Sequence, residues 1–458
     1  MKGFRKWHVV MLVICGLTYV LLSGQSGCSE QICTDLDLDG YATEGGSCGE
    51  IDCDDTDPDV SPGVDEICDN GVDDDCDTLI DGDDPACGDA GLLPDTAQDV
   101  CYDDSGEITC PAQGASFFGQ DAQYDGNQPA YQYNGDGTVT DLNTGLMWQQ
   151  DPGDKMTYDQ AAAGADSFSL AGYDDWRLPT IKELYSLILF DGTDPSGCMS
   201  EASCPDIIPF IDDGTFGFEY GDTGAGERLI DSQWATSNVY LDTVMGGEEC
   251  FFGVNFADGR IKCYPTAPFV DFFVIYVRGS SSYGVNDYDD NGNGTVSDGA
   301  TGLIWQQDDN GSGIIWEDAL DYCEDLTLAG QSDWRLPDAK ELQSIVDYSR
   351  SPGTTGSAAI DPVFNVTTIE NEAGQADYPC YWTGTTHADW QGGGVGGAYV
   401  SFGRAMGYWQ NQWQDVHGAG AQRSDPKYGN PDDYPYGHGP QGDAIRIYNH
   451  VRCVCGND

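Results

Sequence analysis

The residues best suited to chemistry are aspartates in an acidic stretch between residues 33 and 87, where carboxylates recur at short intervals. Alternating aspartates that end in glycine let a tight turn aim several carboxylates at one centre, which suits an oxygen-seeking cation such as calcium. An EF-hand would need glutamate at loop position 12, where this sequence has Gly46. We therefore predict calcium ligands outside an EF-hand among Asp35, Asp37, Asp39, Asp52, Asp54, Asp55, Asp57, Asp69, Asp73, Asp75 and Asp77.

The same stretch carries six cysteines and few aliphatic residues, so it cannot bury an apolar core of its own. Such a segment is either disordered or held together by metals and disulfides. A solvated acidic linker is the alternative interpretation, but a linker does not need six cysteines. The cysteines are Cys33, Cys48, Cys53, Cys68, Cys76 and Cys87.

Four sequence elements here resemble the MopE-type metal-binding motif family: Asp35–Tyr41, Asp52–Pro58, Pro62–Asp69 and Asp73–Asp77. The resemblance implies calcium-type binding and a surface protein.

The charge of the chain restricts its partners. It has 79 acidic and 18 basic residues, a net charge of −61, and no lysine or arginine between Lys6 and Lys155. Nucleic acids and other polyanions are poor partners for such a chain, because binding them requires clustered lysine and arginine. Divalent cations are favoured partners.

The N-terminus has the pattern of an export signal, residues 1–27, in which a basic start precedes an apolar run from Val9 to Leu22. The run is too short for a typical membrane span. Cys28 is the predicted lipidation site, with plain secretion as the alternative because Gln25 is polar where such sites usually have an aliphatic residue. We therefore expect a cell-surface or outer-membrane lipoprotein, or a secreted protein, that contacts the membrane only through a lipid anchor.

The rest of the chain is organised around a stretch that occurs twice, at 174–184 and 332–342, with Asp-Trp-Arg-Leu-Pro and Lys-Glu-Leu in both copies. The match extends upstream to Thr-Gly-Leu-x-Trp-Gln-Gln-Asp at 144–151 and 301–308. The spacing is too long for a solenoid unit and predicts a duplicated domain.

Two helices are predicted in each copy. Trp316, Ala319, Leu320 and Cys323 share one helical face, and residues 158–165 are the first-copy counterpart. A second helix follows each Trp-Arg-Leu-Pro, because Thr180 with Glu183 and Asp338 with Glu341 form capping-box patterns.

These patterns indicate the roles of the polar residues that recur in both copies. We interpret Glu183 and Glu341 as helix caps rather than catalytic acids. We interpret the tryptophan and arginine of each Trp-Arg pair as a core residue and a partnered cation, with direct ligand binding as the alternative.

Aromatic β-type segments follow the helices, which predicts an α+β fold with two helices packed on a twisted antiparallel sheet in each copy. The long loop 410–442 is the expected variable binding surface. Its Asn430-Pro-Asp432 sequence is interpreted as a turn, and the glycine-rich 289–295 segment as a hairpin rather than a calcium loop. The predicted organisation is 1–27 signal, 28–87 calcium-binding module, 88–99 linker, 100–279 first domain and 283–456 second domain.

Each domain resembles the Lcl C-terminal domain family, named for a collagen-like bacterial adhesin. The resemblance is carried by Thr-Gly-Leu-x-Trp-Gln, the helix with Trp/Tyr-x-x-Ala, Asp-Trp-Arg-Leu-Pro, Lys-Glu-Leu and the closing Val-Arg. More distantly, the second domain resembles the C-type-lectin-like fold of formylglycine-generating enzymes. The resemblances imply two tandem lectin-like domains.

The disulfide prediction comes from comparing the two copies. Where the second has Cys323 and Cys453, the first has Ala165 and Gly279, so the two cysteines are missing together and are expected to be partners. This leaves Cys380 to pair with Cys455, while Cys101–Cys110, Cys198–Cys204 and Cys250–Cys263 are predicted as local bridges.

The leading functional hypothesis is a non-enzymatic, calcium-rigidified surface or adhesion protein that recognises an extracellular glycan or protein. The alternative is an oxidase like the formylglycine-generating enzymes, with Cys453 and Cys455 as a reactive thiol pair. The histidines are scattered, and His417 and His438 are expected to face solvent rather than bind a metal.

Overall fold

The computed structural model describes residues 33–37, 41–43, 49, 51–54, 56–58, 60–62, 64, 72–73, 76 and 92–456. The chain divides into two compact units, Met1–Asp81 and Gly82–Asp458. In the first unit the described residues form turns, a bridge between Ala42 and Ile51, and a Cys53–Cys76 disulfide. The predicted signal at 1–27 and the lipidation site Cys28 lie outside the described residues. Within the described ranges, no helix is long and apolar enough to cross a membrane.

The first copy of the repeat contains both predicted helices, α1 (Tyr158–Ala165) and α2 (Ile181–Ser186). The preceding residues and this copy contain the strands β1 (Cys101–Tyr102), β2 (Glu107–Ile108), β3 (Tyr131–Tyr133), β4 (Thr138–Asp141), β5 (Met147–Gln149), β6 (Met156–Thr157), β7 (Gln233–Val239), β8 (Cys250–Asn255), β9 (Arg260–Pro265), β10 (Asp271–Phe272) and β11 (Val277–Arg278).

The second copy also contains its two predicted helices, α3 (Trp316–Glu324) and α4 (Ala339–Ser344). Its strands are β12 (Tyr288–Asp290), β13 (Thr295–Asp298), β14 (Ile304–Gln306), β15 (Ile369–Glu370), β16 (Ala376–Asp377), β17 (Cys380–His387), β18 (Gly396–Ser401), β19 (Met406–Trp409), β20 (Gln412–Asp415), β21 (Gln422–Pro426) and β22 (Val454–Cys455). A 3-10 turn at Pro431–Asp433, capped by Asn430, confirms the turn predicted there.

The strands form matching antiparallel sheets in the two copies. The order β11-β5-β4-β3 in the first corresponds to β22-β14-β13-β12 in the second, and β7-β8-β9 corresponds to β17-β18-β21. The structure is therefore a duplicated α+β arrangement of small antiparallel sheets with few helices. The extra hairpin β19-β20 lies between β18 and β21 of the second copy.

Asn-Gly turns determine the first hairpin of each copy. Gly135 and Gly292 adopt φ of 80° and 67°, in the left-handed region where glycine is favoured. The side-chain amide of Asn291 donates to the Thr295 hydroxyl at 2.9 Å, closing the turn. The segment 289–295 is therefore the hairpin expected from its sequence.

The two copies share one hydrophobic core. Leu184 and Ile188 of the first copy belong to the same buried cluster as Leu342 and Val346 of the second, and α2 contacts α4. Lys340 also crosses the boundary, because its Nζ donates to the backbone oxygens of Asp95 and Ser186 at 2.7 and 2.9 Å. The copies predicted as separate domains thus pack as one unit.

Residues 92–99, expected to be part of a linker, are partly buried, with Asp95, Thr96 and Gln98 each at most 6% exposed. The Gln98 side chain donates to the backbone oxygens of Phe190 and Thr386, one in each copy, at 3.1 and 2.7 Å. The described part of the predicted 88–99 linker therefore packs against both copies. Its polar side chains satisfy backbone groups of both copies, an outcome that composition alone does not reveal.

The segment from Cys101 to Tyr124, expected to open the first domain, packs instead against the second copy. Phe117 lies 6.4 Å from Trp316 between ring centroids, and the Tyr124 hydroxyl donates to Glu324. Thr385 donates to the buried Asp121 carboxylate at 2.5 Å. The segment that follows the predicted boundary at residue 100 therefore covers α3 and β17 of the second copy.

Candidate functional site

The repeated Arg-Leu-Pro and Lys-Glu-Leu residues form an arginine–glutamate ion pair at the start of a helix, which we call the Arg-Glu joint. In α2 and α4 the capping boxes form, with Thr180 and Asp338 accepting from the backbone N–H of Glu183 and Glu341. Arg335 binds Glu341 through two hydrogen bonds of 2.6 and 2.7 Å, and Arg177 binds Glu183 in the same way at 2.6 and 2.5 Å. The interpretation of the glutamates as caps is confirmed.

The tryptophans beside these arginines are buried as predicted, Trp176 with 4% and Trp334 with 1% of its surface exposed. Both arginines are paired with a carboxylate, and the Arg335 side chain is also largely buried, whereas the Arg177 side chain is partly exposed. The repeated motif therefore positions the start of a helix in each copy.

The predicted metal ligands are only partly described. Asp52 is buried and its Oδ1 accepts from the Asp54 backbone N–H at 2.9 Å. Asp35, Asp37, Asp57 and Asp73 are also described, and no group of three or more His, Cys, Asp or Glu side chains among the described residues could hold a metal ion. The described carboxylates therefore do not form a metal site by themselves. Asp39, Asp55, Asp69, Asp75 and Asp77 lie outside the described residues.

The disulfides follow the sequence prediction with one correction. Bridges join Cys323 to Cys453, Cys101 to Cys110, Cys198 to Cys204 and Cys250 to Cys263. The predicted Cys380–Cys455 bridge is wrong, because both residues are thiols. Pairing the two remaining cysteines by elimination takes no account of where their side chains lie in the fold. In the structure each thiol contacts a different polar neighbour.

The Cys380 thiol lies 3.2 Å from the Ser401 hydroxyl and accepts from Arg446 at 3.0 Å. The Cys455 thiol instead donates to the Gln331 side chain at 3.2 Å. Burial raises the pKa of Cys380 despite the neighbouring Arg446. A buried thiol with a raised pKa carries little thiolate and is a poor nucleophile.

The strongest candidate site is a cavity of about 380 Å³ at the junction of the two copies, which we call the inter-repeat cavity. Its walls come from β9 of the first copy and β21 of the second, which contact each other. Residues 260, 262 and 264 alternate along β9, so their side chains share the face that borders the cavity. Tyr434, His438 and Gln441, from the loop predicted as a variable binding surface, complete the wall.

The inter-repeat cavity gathers several of the few basic residues of a strongly acidic chain, together with their carboxylate partners. Four of the 18 basic residues border it, Arg228, Arg260, Lys262 and Arg423. Arg260 contacts Asp194 at 2.8 Å, and its Nη2 donates to the Ser424 hydroxyl at 3.2 Å, joining the two copies. The cavity wall therefore carries cations from both copies.

Each cation is balanced by a carboxylate. Lys262 Nζ lies 2.5 Å from Asp258, and Arg228 lies 2.5 Å from Asp231. Arg423 forms an ion pair with Asp443, whose Oδ1 also lies 2.9 Å from His417 Nε2, within hydrogen-bonding distance. The local charge is close to neutral, in contrast to the rest of the chain.

Burial and ion pairing shift the pKa values of the charged residues around the cavity in opposite directions. Burial acts to raise the pKa of Asp443, but Arg423 and His417 outweigh it and hold that pKa well below its usual range. Burial lowers the pKa of Lys262 to about 8 and raises the pKa of Asp425 to about 6. At neutral pH the cavity therefore presents both ammonium and carboxylate groups.

His417 corrects a sequence expectation. It was expected to face solvent, yet only 3% of its surface is exposed, because it is held against Asp443. His438 is exposed, as expected, at the edge of the inter-repeat cavity. Sequence reasoning missed the cavity itself, although the alternating Arg260, Lys262 and Tyr264 in so acidic a chain were a usable signal.

Comparisons with known proteins agree with this duplicated architecture. The family model described as the Lcl C-terminal domain matches residues 137–278 and 294–418, which together exceed half of the chain. The family model described as "Putative metal-binding motif" matches residues 52–81. No curated protein and no solved structure gives a significant match.

Proposed function

Because this chain belongs to the Lcl C-terminal domain family, we propose that it is a surface-associated, adhesion-type binding protein. The proposal includes export through the 1–27 signal and anchoring by a lipid on Cys28, with secretion as the outcome if no lipid is attached. Its ligand is an extracellular glycan or protein. The lectin-like character of the two copies, inferred from sequence, is part of this proposal.

The observation that carries the proposal is the way the two copies combine. They share a core, and the junction holds a cavity whose wall includes the long loop of the second copy. Scaffolds that hold variable loops around a cavity are typical of binding proteins. The same site contains no cysteine at its wall, so it offers no nucleophilic thiol among the described residues.

The structure weighs against the oxidase alternative at one specific place. That alternative needs thiols at both Cys453 and Cys455, whereas Cys453 is joined to Cys323. Thiol labelling of the native protein with peptide mapping tests this point, and labelled Cys453 would restore the oxidase.

We further propose that calcium orders the 28–87 module. The aspartates repel one another when crowded, and a divalent cation replaces repulsion with attraction, so that metal binding contributes to folding. Calorimetry on the full chain is expected to show calcium binding that an Asp52→Asn/Asp54→Asn variant weakens. Absence of any heat of binding would contradict the calcium assignment.

The binding function is tested by screening the full chain against extracellular glycans and surface proteins, with and without a chelator. Saturable binding of at least one glycan or surface protein is expected. Binding that needs no calcium would separate the module from the ligand site, whereas no binding to any class would contradict the proposed function.

A further inference from the structure

The second copy of the repeat carries a further concavity, a cleft of about 510 Å³ that we call the aromatic cleft. Its wall is drawn from residues 369–372, 379–380, 413, 431–435 and 444–450. Tyr434 and Ile445 also border the inter-repeat cavity, whereas the rest of this wall does not. The aromatic cleft is therefore a separate site beside that cavity.

Two of the segments that build the cleft are additions to the repeated sheets. Residues 256–259 join β8 to β9 in the first copy, but in the second the β19-β20 hairpin stands between β18 and β21. Likewise, residues 266–276 lead to β11 in the first copy, whereas residues 427–453 lead to β22 in the second. The first copy forms the corresponding sheets without these additions, which leaves the added segments available for binding.

Three aromatic side chains border the cleft, Trp413, Tyr434 and Tyr448. Trp413 is positioned by its cross-strand neighbour Tyr408, whose ring centroid lies 5.4 Å away. Tyr448 keeps 48% of its surface exposed. An aromatic ring attracts a cation to its face, and grooves lined by such rings also bind extended, proline-rich segments.

The cleft offers no uncommitted cation to an anionic ligand. Arg446 is the only lysine or arginine in its wall, every residue of which lies in the described part of the chain. The Arg446 guanidinium pairs with Glu372 at 2.8 Å and also donates to the Cys380 thiol at 3.0 Å. An anion would therefore have to compete with the Glu372 carboxylate for the same donors.

The remaining charged groups of the wall are negative. Glu370 and Asp432 border the cleft and are both exposed. Burial lowers the pKa of His450, so this residue adds no positive charge at neutral pH. With Arg446 balanced by Glu372, the two exposed carboxylates leave the cleft with an excess of negative charge, which favours a cationic ligand.

The backbone between Arg446 and Tyr448 is strained in a way that fixes this wall. Ile447 adopts φ of 62°, in the left-handed region that β-branched residues rarely enter. The buried Asp425 carboxylate holds the turn, because it accepts from the backbone N–H groups of Arg446 and Ile447, both at 3.0 Å. Such strain costs about 1–3 kcal/mol and persists only where the surrounding structure imposes it. The turn places both Arg446 and Tyr448 at the cleft.

We infer that the aromatic cleft binds a lysine or arginine side chain within an extended, proline-containing segment of a partner protein. The cation lies against the rings of Trp413 and Tyr448 and pairs with Glu370 and Asp432. The volume of about 510 Å³, within the roughly 300–1,000 Å³ typical of small-ligand sites, also admits residues that flank the cation. This inference rests on the proposed function and selects a protein from its two ligand classes.

The test uses the full chain and short synthetic peptides in which one arginine or lysine is flanked by prolines. Matched peptides carry glutamine or glutamate in place of the cation, and neutral methyl glycosides are tested as competitors. Binding is measured by fluorescence anisotropy at physiological salt, where a Debye length of about 8 Å screens distant charges. The cationic peptides are expected to bind more tightly than the glutamine peptide, and the glutamate peptide most weakly.

Variants locate the binding and separate it from attraction to the acidic chain as a whole. Tyr448→Ala keeps the net charge and is expected to weaken binding of the cationic peptides about 2- to 30-fold, as for loss of a cation–π contact. Glu370→Gln/Asp432→Asn is expected to weaken it by a similar factor, and it covers the case in which Tyr448→Ala does not fold. Glu201→Gln/Asp206→Asn is the matched control, because it makes the same change of charge at exposed residues outside the cleft.

Three results would overturn the inference while leaving the proposed function to its own screen. The first is a folded wild-type chain that binds no cationic peptide, or binds the glutamine peptide equally well. The second is an equal loss of binding in the cleft variants and in the matched control, which would assign the binding to net charge alone. The third is displacement of the peptide by a neutral glycoside, which would make the cleft a glycan site.

Discussion

The two copies of the Arg-Glu joint provide a matched experiment within one chain. Both ion pairs are bidentate and both glutamates cap a helix. They differ in exposure, because the Arg335 side chain is 7% exposed and the Arg177 side chain is 30% exposed. Arg335 also lies 5.2 Å from the ring of Tyr124. Replacing each glutamate by glutamine keeps a residue that can cap and removes only its charge.

The free energy of unfolding is expected to fall much more for Glu341→Gln than for Glu183→Gln. Removing one partner of a buried pair typically costs about 3–5 kcal/mol. Arg177 can turn toward water when Glu183 loses its charge, so the second change is expected to cost about 1–2 kcal/mol. The difference, about 2 kcal/mol, corresponds to a roughly 30-fold change in the unfolding equilibrium.

Urea unfolding followed by tryptophan fluorescence measures both variants under the same conditions, and equal slopes are required for the comparison. Adding Arg335→Met to Glu341→Gln removes the buried charge and is expected to recover part of the loss. Equal destabilisation by the two glutamine variants, or a larger effect at Glu183, would refute the reasoning from burial.

Three further predictions concern other parts of the chain. Replacing Cys323 and Cys453 by alanine should destabilise the protein by about 5 kcal/mol, against about 3 kcal/mol for Cys250 and Cys263, because the bridges span 130 and 13 residues; equal losses in urea unfolding would contradict the loop-entropy argument. Burial lowers the pKa of Lys182 to about 8, so the folded state binds fewer protons than the unfolded state and stability should rise as pH increases from about 8 toward 10.5; thermal unfolding of Lys182→Met should show a smaller rise, and an unchanged profile would contradict the assignment. Heparin should not bind at physiological salt, because the net charge of −61 opposes polyanions; salt-sensitive micromolar binding by calorimetry would overturn this expectation.

Local structure was predictable from the sequence because it depends on local chemistry. The capping residues Thr180 and Asp338 marked the starts of α2 and α4, and Asn291-Gly292 marked a hairpin. The Cys323–Cys453 bridge was also predictable, since a duplicated chain reveals which cysteines were gained or lost together.

Contacts between distant segments were not predictable in the same way. Gln98 and Lys340 are polar residues whose burial depends on backbone oxygens far away in sequence. The sequence therefore suggested a linker at 88–99 and two tandem domains, whereas in the structure residues 92–99 contact both copies and the copies share a hydrophobic cluster. The inter-repeat cavity could not be predicted from the sequence for the same reason, because β9 and β21 come into contact only when the two copies pack together.

The central claim is that this chain acts at the cell surface as an adhesion-type binding protein. Its most direct test compares the adherence of producing cells with that of cells lacking the chain, on a surface coated with extracellular glycans and proteins, with purified soluble chain as competitor. The account predicts that loss of the chain lowers adherence and that the soluble chain competes with intact cells. Unchanged adherence in both arms, with the chain shown by surface labelling to be present on the cells, would contradict it.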